Sequence, residues 1–408
     1  MSKEVLNSKF NVQDPLHIAS YSPGLTIYGH KGYTKLPNWE REVQPVTATS
    51  AAPTFGTTVR FTWPKRSTFI GMHHLVATVS ALTPNGGGTA RLVDYAGFRL
   101  YPLIQYRYGS NLLQSIDYVT MHILHRLNKR REARDAEAVL VGGNLSIAER
   151  ESLGLAAQTF YTEVPAFFTS HPSCYLNRDA LSHDFEIAIT LCTAAELSQA
   201  TSGTAPTFSL TNLYVRTILH HVEDDERDDN TARTLAGAGI VQPIRDYETQ
   251  YTNSLAGGQT TYTINLNLLK GLVSDMRFLF RRTTSLTSPG TVNNQPFEYV
   301  TFDNDFMSWQ IRASGIQVVS SRTGRENLFI DNAGEHTGIA GIPLYGYVAS
   351  WDVEDWLNST GHHNYGGFSQ PQLIITFASD PGPLVLDLWD LSLNTVQHVK
   401  GEIVKNFL

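Results

Sequence analysis

The 408-residue sequence is poor in charge, poor in cysteine and free of long apolar runs. Charged residues make up 17% of the chain, so much of its surface must be neutral and polar or covered by another subunit. No run of about 18 apolar residues occurs, which leaves no candidate for a transmembrane helix. The two cysteines, Cys174 and Cys192, form no C-x-x-C pair and are too few for a secreted disulfide framework.

The start of the sequence lacks the apolar stretch of a secretory signal peptide. Together with the cysteine pattern, this predicts a protein that is made and kept in a reducing cytoplasm. The net charge of −7 and the pI near 6.0 argue against a general electrostatic attraction to nucleic acid. We therefore expect no direct sequence-specific contact with nucleic acid.

Alternation of apolar and polar residues is the main pattern in the chain. Val59, Phe61 and Trp63 alternate with polar residues, and this period of two predicts a strand. Similar patterns predict further strands over residues 75–79, 103–108, 159–164, 184–191, 208–222, 260–268, 272–281, 297–302, 310–320, 343–351, 373–377 and 384–399. One helix is predicted over residues 116–140, ending near Gly142. Many short strands in two blocks predict an all-β protein with two barrels or sandwiches.

Two irregular segments set the predicted domain boundaries. Closely spaced prolines and glycines in the first fifty residues predict an extended N-terminal arm over residues 1–52. Residues 223–230 contain six acidic side chains that repel one another, which predicts a solvated linker over residues 223–243. The first domain then covers residues 53–222, and the second domain with the C-terminal tail covers residues 244–408.

The two halves of the chain contain an internal repeat. Residues 210–217 and 388–395 share the pattern L-x-[ND]-L-x-[VL]-x-T, and a histidine follows three residues later in each copy. Upstream of each copy lies an apolar segment that ends in Ile-Thr, at residues 187–190 and 373–376. One domain duplicated in tandem explains this pattern, because each copy closes its half of the chain.

Several segments of the first half resemble a known viral family. The sequences PTFGTTVRFTWP at residues 53–64 and FIGMHHL at residues 69–75 are similar to the first barrel of double jelly-roll major capsid proteins. YRYGSNLL at residues 106–113 is similar to their next strand, and VLVGG at residues 139–143 lies where their helical insertion ends. The family is that of the nucleocytoplasmic large DNA viruses, with the greatest likeness to the asfarvirus-like branch. The second half matches only through strand order and the repeat.

The resemblance implies an all-β fold of two tandem eight-stranded jelly-roll barrels, with a helical insertion in the first and an extended arm before it. It also implies a homotrimer with a pseudo-hexameric outline that contacts neighbouring capsomers, minor capsid proteins and penton proteins. The shell belongs to an icosahedral double-stranded DNA virus, is assembled in the host cytoplasm and can enclose an internal membrane. The loops between strands are shorter here than in the family, which implies a smoother outer surface.

Histidine pairs are the first candidate metal ligands. They occur at His73-His74, His220-His221 and His362-His363. Adjacent residues on a strand point to opposite faces, so the first two pairs cannot readily direct both rings to one metal. The third pair lies in a flexible turn and keeps that capacity. The acidic residues 223–229 lack the D-x-D-x-D-G spacing of a calcium loop, which favours the solvated linker.

Other motifs have a structural and a functional interpretation. The basic residues 128–131 fit a nuclear signal or a nucleic-acid contact, but acidic residues follow in the same helix and favour a salt-bridged surface. Gly86, Gly87 and Gly88 precede no Lys-Ser/Thr and predict a turn rather than a phosphate loop. Asn144 and Asn358 begin glycosylation sequons that we expect to be unmodified.

The sequence assigns no catalytic, cofactor-binding or metal-binding residue. It contains neither G-x-S-x-G nor H-E-x-x-H, and any pairing of Cys174 with one of 14 histidines would be arbitrary. The alternative function is a two-domain protein that binds or cleaves carbohydrate, with Tyr106, Tyr108 and Trp389 lining an exposed groove. A minor vertex or scaffolding protein of the same lineage is a third hypothesis, which the tandem repeat disfavours.

Overall fold

The computed structural model describes residues 39–49, 53–63, 69–127, 131–169, 175–222, 239–269, 271–302, 304–331, 342–348 and 363–405, together with isolated positions between 228 and 235. The strands of the first half are β1 Trp39–Thr47, β2 Thr58–Thr62, β3 Phe69–Val79, β4 Ala90–Leu92, β5 Leu103–Tyr108, β6 Asn111–Asp117, β7 Gln158–Glu163, β8 Leu176–Asn177, β9 Phe185–Thr190, β10 Ser198–Ala200 and β11 Leu210–Val222.

The second half consists largely of strands as well. They are β12 Ile240–Leu255, β13 Thr261–Asn265, β14 Leu272–Arg282, β15 Gly290–Thr291, β16 Met307–Ala313, β17 Ile316–Thr323, β18 Tyr345–Val348, β19 His363–Asn364, β20 Gln372–Phe377, β21 Leu384–Val399 and β22 Glu402–Lys405. The helices are α1 Ala96–Arg99, α2 Tyr118–Leu127, α3 Arg131–Val141, α4 Ile147–Gly154, α5 Ala194–Leu197, α6 Thr283–Leu286 and α7 Gly324–Glu326. A π-helix covers Asn327–Asp331, and a 3-10 helix covers Tyr365–Gly367.

Each half of the chain forms two facing antiparallel sheets. In the first half, sheet A has the order β1-β11-β3-β7, with β8 also paired to β3, and sheet B has the order β2-β9-β5-β6. In the second half, sheet C has the order β12-β21-β14-β18, with β19 and β22 on its edges, and sheet D has the order β13-β20-β16-β17. A small sheet, β15-β10-β4, joins the two halves.

The two halves share one topology. We number along the chain the eight strands of each half that form the two four-stranded paths given above. Both halves then have one sheet in the order 1-8-3-6 and one in the order 2-7-4-5. This is the jelly-roll arrangement, in which strands distant in sequence are neighbours in space. The predicted repeat falls on equivalent strands, because residues 210–217 lie in β11 and residues 388–395 lie in β21. The all-β fold of two jelly-roll barrels is thus confirmed.

Each barrel has its own aromatic core. The first contains Trp63, Tyr106 and Phe185, and the second contains Phe278 and Trp309, all with at most 1% of their surface exposed. Alternation along the strands places these side chains inside, since every second residue of a strand faces the same side. Burial of one such aromatic side chain contributes roughly 1.5–3 kcal/mol.

Several predicted elements differ from the structure. The helix predicted over residues 116–140 is in fact the end of β6 followed by α2 and α3. Pairing of Asp117 with Leu103 extends β6, and the Asp117 carboxylate then accepts a hydrogen bond from the Thr120 amide at the start of α2. The strand predicted over residues 310–320 is a hairpin, because Ser314 and Gly315 both adopt positive φ angles and reverse the chain. The strand predicted over residues 297–302 has one isolated bridge instead.

Strand β12 is the largest element that the sequence did not predict. It begins at Ile240, inside the segment predicted as a linker, and pairs along its whole length with β21. Strand β1 likewise lies in the segment predicted as an N-terminal arm and forms the edge of sheet A. Pro45 is compatible with this position because an edge strand need not donate every backbone amide. No helix in the described residues is long and apolar enough to cross a membrane.

Candidate functional site: the contact between the two barrels

Helix α2 is wedged between the barrels and is apolar on most of its surface. Val119 and Ile123, one turn apart, pack with Leu279 of the second barrel. Leu124 packs with Trp389 on the next strand. A helix with apolar side chains on several faces is stable only when it is covered on several faces. The helical insertion of the first barrel therefore serves as the contact between the barrels.

A buried ion pair lies under the start of this helix. Arg281 donates to both carboxylate oxygens of Asp387, at 2.6 and 2.8 Å, and both side chains are 3% exposed. Arg281 also donates to the Tyr118 hydroxyl, and Arg99 of the first barrel lies 4.5 Å above the same aromatic ring. Burial opposes the charge of Arg281, but the facing Asp387 outweighs it and holds the pKa of the guanidinium above its ordinary value.

A second polar contact joins the small sheet to the second barrel. The Gln199 side-chain amide donates to the Asn294 backbone carbonyl at 2.6 Å. The Asn294 side-chain amide in turn donates to the Ser198 and Glu196 carbonyls, at 2.8 and 3.0 Å. Gln199 and Asn294 are almost fully buried, at 2% and 3% exposure. Buried amides with satisfied partners fix the relative position of the two barrels, because any displacement would leave these groups unpaired.

The C-terminal hairpin forms the third contact. Lys405 pairs with the buried Asp246 and donates to the Leu113 carbonyl of the first barrel at 3.0 Å. Gly401, with φ of 81°, accepts a hydrogen bond at its carbonyl from the Ser182 amide at 2.9 Å. A side chain at this glycine would meet the Ser182 hydroxyl at 2.1 Å. The apolar side chains of this region, Ile244, Val396 and Ile403, belong to the core of the first barrel.

Two histidines of α2, His122 and His125, make further polar contacts. His122 has its Nδ1 atom 2.7 Å from the Tyr299 hydroxyl of the second barrel. Burial lowers the pKa of His122 well below its ordinary value, so the ring is neutral near pH 7. His125 Nδ1 lies 2.7 Å from a carboxylate oxygen of Glu137 on α3. These bonds tie both helices of the insertion to the contact between the barrels.

The histidine pairs predicted from the sequence do not converge. His73 is fully buried with its Nε2 atom 2.5 Å from the Tyr106 hydroxyl, and burial lowers its pKa to about 3. His74 lies on the opposite face of β3, as the alternation predicted. His220 stacks on Tyr175 at a ring distance of 4.8 Å. Among the described residues, no three His, Cys, Asp or Glu side chains lie close enough to share a metal ion.

The other residues singled out in the sequence do not come together in one site. His221 pairs with Glu42 at 2.9 Å, and the His363 ring lies 5.0 Å from the Tyr347 ring at an interplanar angle of 31°. Gly86, Gly87 and Gly88 all have positive φ, as a turn requires. The exposed Asn144 accepts a hydrogen bond from the Tyr95 hydroxyl at 2.7 Å. His362, Asn358, Cys174, residues 128–130 and most of the acidic run lie outside the described residues.

The groove predicted for carbohydrate binding is contradicted. Tyr106 is 0% exposed, Tyr108 1% and Trp389 3%. The two tyrosines point into the first barrel, and Trp389 is covered by α2. Conversely, sequence reasoning missed Arg281 and Asp387. The sequence of β14 nevertheless contained a signal for a buried ion pair. Asp275, Arg277 and Arg281 lie two and four residues apart in this strand, although the protein has few charged residues.

Comparison with solved structures shows which known fold the chain shares. A structure of PBCV-1 VP54, fitted into a reconstruction of the virophage Sputnik, superposes with a TM-score of 0.72 at 15% identity and covers 94% of this chain and 100% of that chain. The Faustovirus major capsid protein gives 0.72 at 9% identity, with 92% and 93% covered. The mavirus major capsid protein gives 0.53 at 11% identity, with 96% and 95% covered.

The similarity is one of structure. Neither protein-family models nor curated protein sequences give a match. At identities of 9–15%, the alignment still covers 92–94% of this chain and therefore extends over both barrels. The chain therefore has the double jelly-roll fold of the major capsid proteins of PBCV-1, Faustovirus and mavirus.

Proposed function

We propose that this chain is a major capsid protein, three copies of which form a pseudo-hexameric capsomer of an icosahedral double-stranded DNA virus shell. The observation that carries the proposal is that two barrels of identical strand order are held together by polar contacts from Arg281 to Tyr118 and from Gln199 to Asn294. Three such chains present six similar barrels, which suits hexagonal packing. Closed threefold association also leaves no open edge on any subunit.

The role that we propose is structural rather than catalytic. Buried polar side chains, including Arg281 and Asn294, bond across the contact between the barrels. The aromatic side chains that a carbohydrate groove would need are buried. Both observations favour a building block over the carbohydrate hypothesis.

The assembly and its location follow from the same proposal. The partners are other copies of the chain, neighbouring capsomers, and minor capsid and penton proteins, in a virion assembled in the host cytoplasm, with room for an internal membrane under the shell. We also propose the division into an N-terminal arm, two barrels and a linker. The barrels begin with β1 at Trp39 and with β12 at Ile240, earlier than the sequence-based bounds of an arm at 1–52, barrels at 53–222 and 244–408 and a linker at 223–243.

Mass in solution tests the proposal directly. Size-exclusion chromatography with light scattering should give about 136 kDa, which is three times the chain mass of 45.3 kDa. Negative-stain microscopy of the same fraction should show a hexagonal outline with threefold substructure. A monomer of 45.3 kDa at all concentrations would contradict the proposal and favour an isolated binding protein.

A further inference from the structure

One buried ion pair contains a lysine where other buried pairs contain an arginine. Four arginines whose side chains are at most 9% exposed pair with carboxylates: Arg91, Arg178, Arg277 and Arg281. Lys405 pairs with Asp246 instead, and these two side chains are 4% and 3% exposed. A guanidinium keeps its proton in proteins, whereas a lysine amine readily loses its proton when it is buried. The pair of Lys405 and Asp246 therefore has two groups that can react with each other.

The strands that carry this pair are packed into an apolar region. Ile244 on β12, Val396 on β21 and Ile403 on β22 all belong to the core of the first barrel and are buried. Separated charges are costly in such surroundings, because little water is present to solvate them. Transfer of a proton from the ammonium to the carboxylate removes both charges. It leaves a neutral amine, which is the nucleophilic form of lysine, next to a carboxylic acid.

Two neighbouring residues of β6 hold the reacting groups in position. The Lys405 Nζ atom donates to the Leu113 carbonyl at 3.0 Å. The Gln114 side-chain amide donates to Oδ1 of Asp246 at 3.5 Å, while Nζ faces Oδ2 of the same carboxyl group. The amide donor thus lies where negative charge develops when the nitrogen attacks the carboxyl carbon. Groups held in contact react as if at a concentration on the order of 10⁵–10⁸ M, which exceeds that of the competing water.

We propose that the side chains of Lys405 and Asp246 join in an intramolecular isopeptide bond. The Lys405 nitrogen attacks the carboxyl carbon of Asp246 and forms a carbon–nitrogen bond. The bond from this carbon to Oδ2 breaks, and Oδ2 leaves as water with two of the three protons of the ammonium group. The third proton stays on the nitrogen of the new amide. No atom is oxidised or reduced, and no further reactant is consumed.

The bond fastens the C-terminal hairpin, which contacts both barrels. Strand β22 is four residues long and pairs with β21 of the second barrel. The turn before it accepts hydrogen bonds at the Gly401 carbonyl from the Tyr108 hydroxyl and the Ser182 amide of the first barrel. Short strands near a chain end open easily when only hydrogen bonds hold them. A covalent link from β22 to β12 keeps the hairpin in place, because it closes the chain between these strands into a loop.

Mass spectrometry of the denatured full-length protein tests the bond. The wild type should be lighter than its sequence by the mass of one water molecule. Lys405→Arg keeps the ion pair but cannot form the amide, so this variant should have its full mass, as should Asp246→Ala. The matched control is Lys400→Arg, an exposed lysine next to the same turn, which should still lack one water. Comparison among the four proteins cancels any processing of the chain ends that they share.

A tryptic digest locates the lost water. In the wild type, trypsin should not cleave after Lys405, and the peptides that contain Asp246 and Lys405 should appear as one branched species. A wild type with the full mass of its sequence overturns the inference, and so does a loss of water that persists in Lys405→Arg. Neither result affects the capsomer proposal, because the bond lies within one chain and the native mass in solution is measured separately.

Discussion

The two barrels have the same strand order but bury different polar groups. The core of the first barrel contains His73 bonded to Tyr106, and Trp63 donating to Thr217 at 2.8 Å. The second barrel buries charge on the outer face of sheet C, where Arg281 meets Asp387. Apolar alternation fixes the strands in both barrels, whereas the polar groups differ with what covers each sheet. The two halves thus share one topology but differ in the polar groups that they bury.

The two kinds of buried polar group, ion pairs and neutral histidines, also differ in where they lie. Buried ion pairs concentrate on the face that joins the barrels, and buried neutral histidines concentrate in the first barrel and at the contact. Substitutions in the two barrels test this difference.

Removal of one charge from the contact between the barrels should have the largest effect. In Asp387→Asn, Arg281 stays buried without its counter-charge, which costs about 3–5 kcal/mol of the free energy of unfolding. The double variant Arg281→Met/Asp387→Leu should regain most of this loss, because no unpaired charge remains. Urea unfolding of the three proteins measures the differences.

The control for this prediction is an exposed pair in sheet B. Arg60 and Glu186 lie 3.9 Å apart, and the Arg60 side chain is 56% exposed. Arg60→Met should change the free energy of unfolding by less than about 1 kcal/mol. Equal costs for Asp387→Asn and Arg60→Met would show that the contact contributes little to stability.

Acid should weaken the first barrel through His73. Burial lowers the folded-state pKa of His73 from 6.5 to about 3, so protonation favours the unfolded chain. The stabilisation is complete above pH 6.5 and is lost progressively as the pH falls towards 3. Between pH 6.5 and 4.5 the loss is up to about 2.7 kcal/mol. His73→Gln, which can still bond Tyr106, should remove this part of the pH dependence.

Urea unfolding at several pH values checks the slope. The control is His183→Gln, because the His183 side chain is 64% exposed, and this variant should keep the wild-type slope. An unchanged slope in His73→Gln would mean that His73 does not set the acid sensitivity of the first barrel.

The buried tryptophans allow a matched test of the two cores. Trp63 donates to the buried Thr217, whereas the indole N–H of Trp309 has no hydrogen-bond partner within the described residues. Replacement by phenylalanine removes similar volume at both sites but leaves Thr217 unpaired only in the first barrel. Trp63→Phe should therefore cost about 2 kcal/mol more than Trp309→Phe. Equal losses, measured by denaturant unfolding, would show that volume alone decides.

The sequence predicted the apolar strands of both halves well, because alternation of apolar and polar residues can be recognised from neighbouring residues alone. β21 was predicted with its observed bounds, and β5 likewise. β12 was missed, since it carries Pro243 and several polar residues and becomes a strand only through its pairing with β21. The helix boundary at Tyr118 was missed for a similar reason, because β6 is extended by pairing with β5.

The contact between the barrels could not be predicted from local pattern. Arg281 and Tyr118 are 163 residues apart and meet because α2 of the first barrel packs on sheet C of the second. Trp389 occurs in a strand that carries apolar side chains on both faces, so its burial depends on what covers each face. Only the three-dimensional arrangement of the two halves decides these points.

The smallest expected effect concerns two equivalent capping boxes. Ser146 and Glu149 begin α4 in the first barrel, and Thr323 and Glu326 begin α7 in the second barrel. Ser146→Ala and Thr323→Ala should each lower the free energy of unfolding by about 1 kcal/mol, because each leaves a backbone amide without its cap. Urea unfolding of the two variants measures the losses, and because both boxes make the same pair of bonds the two losses should agree. A loss in only one variant would show that the two turns do not contribute equally to stability.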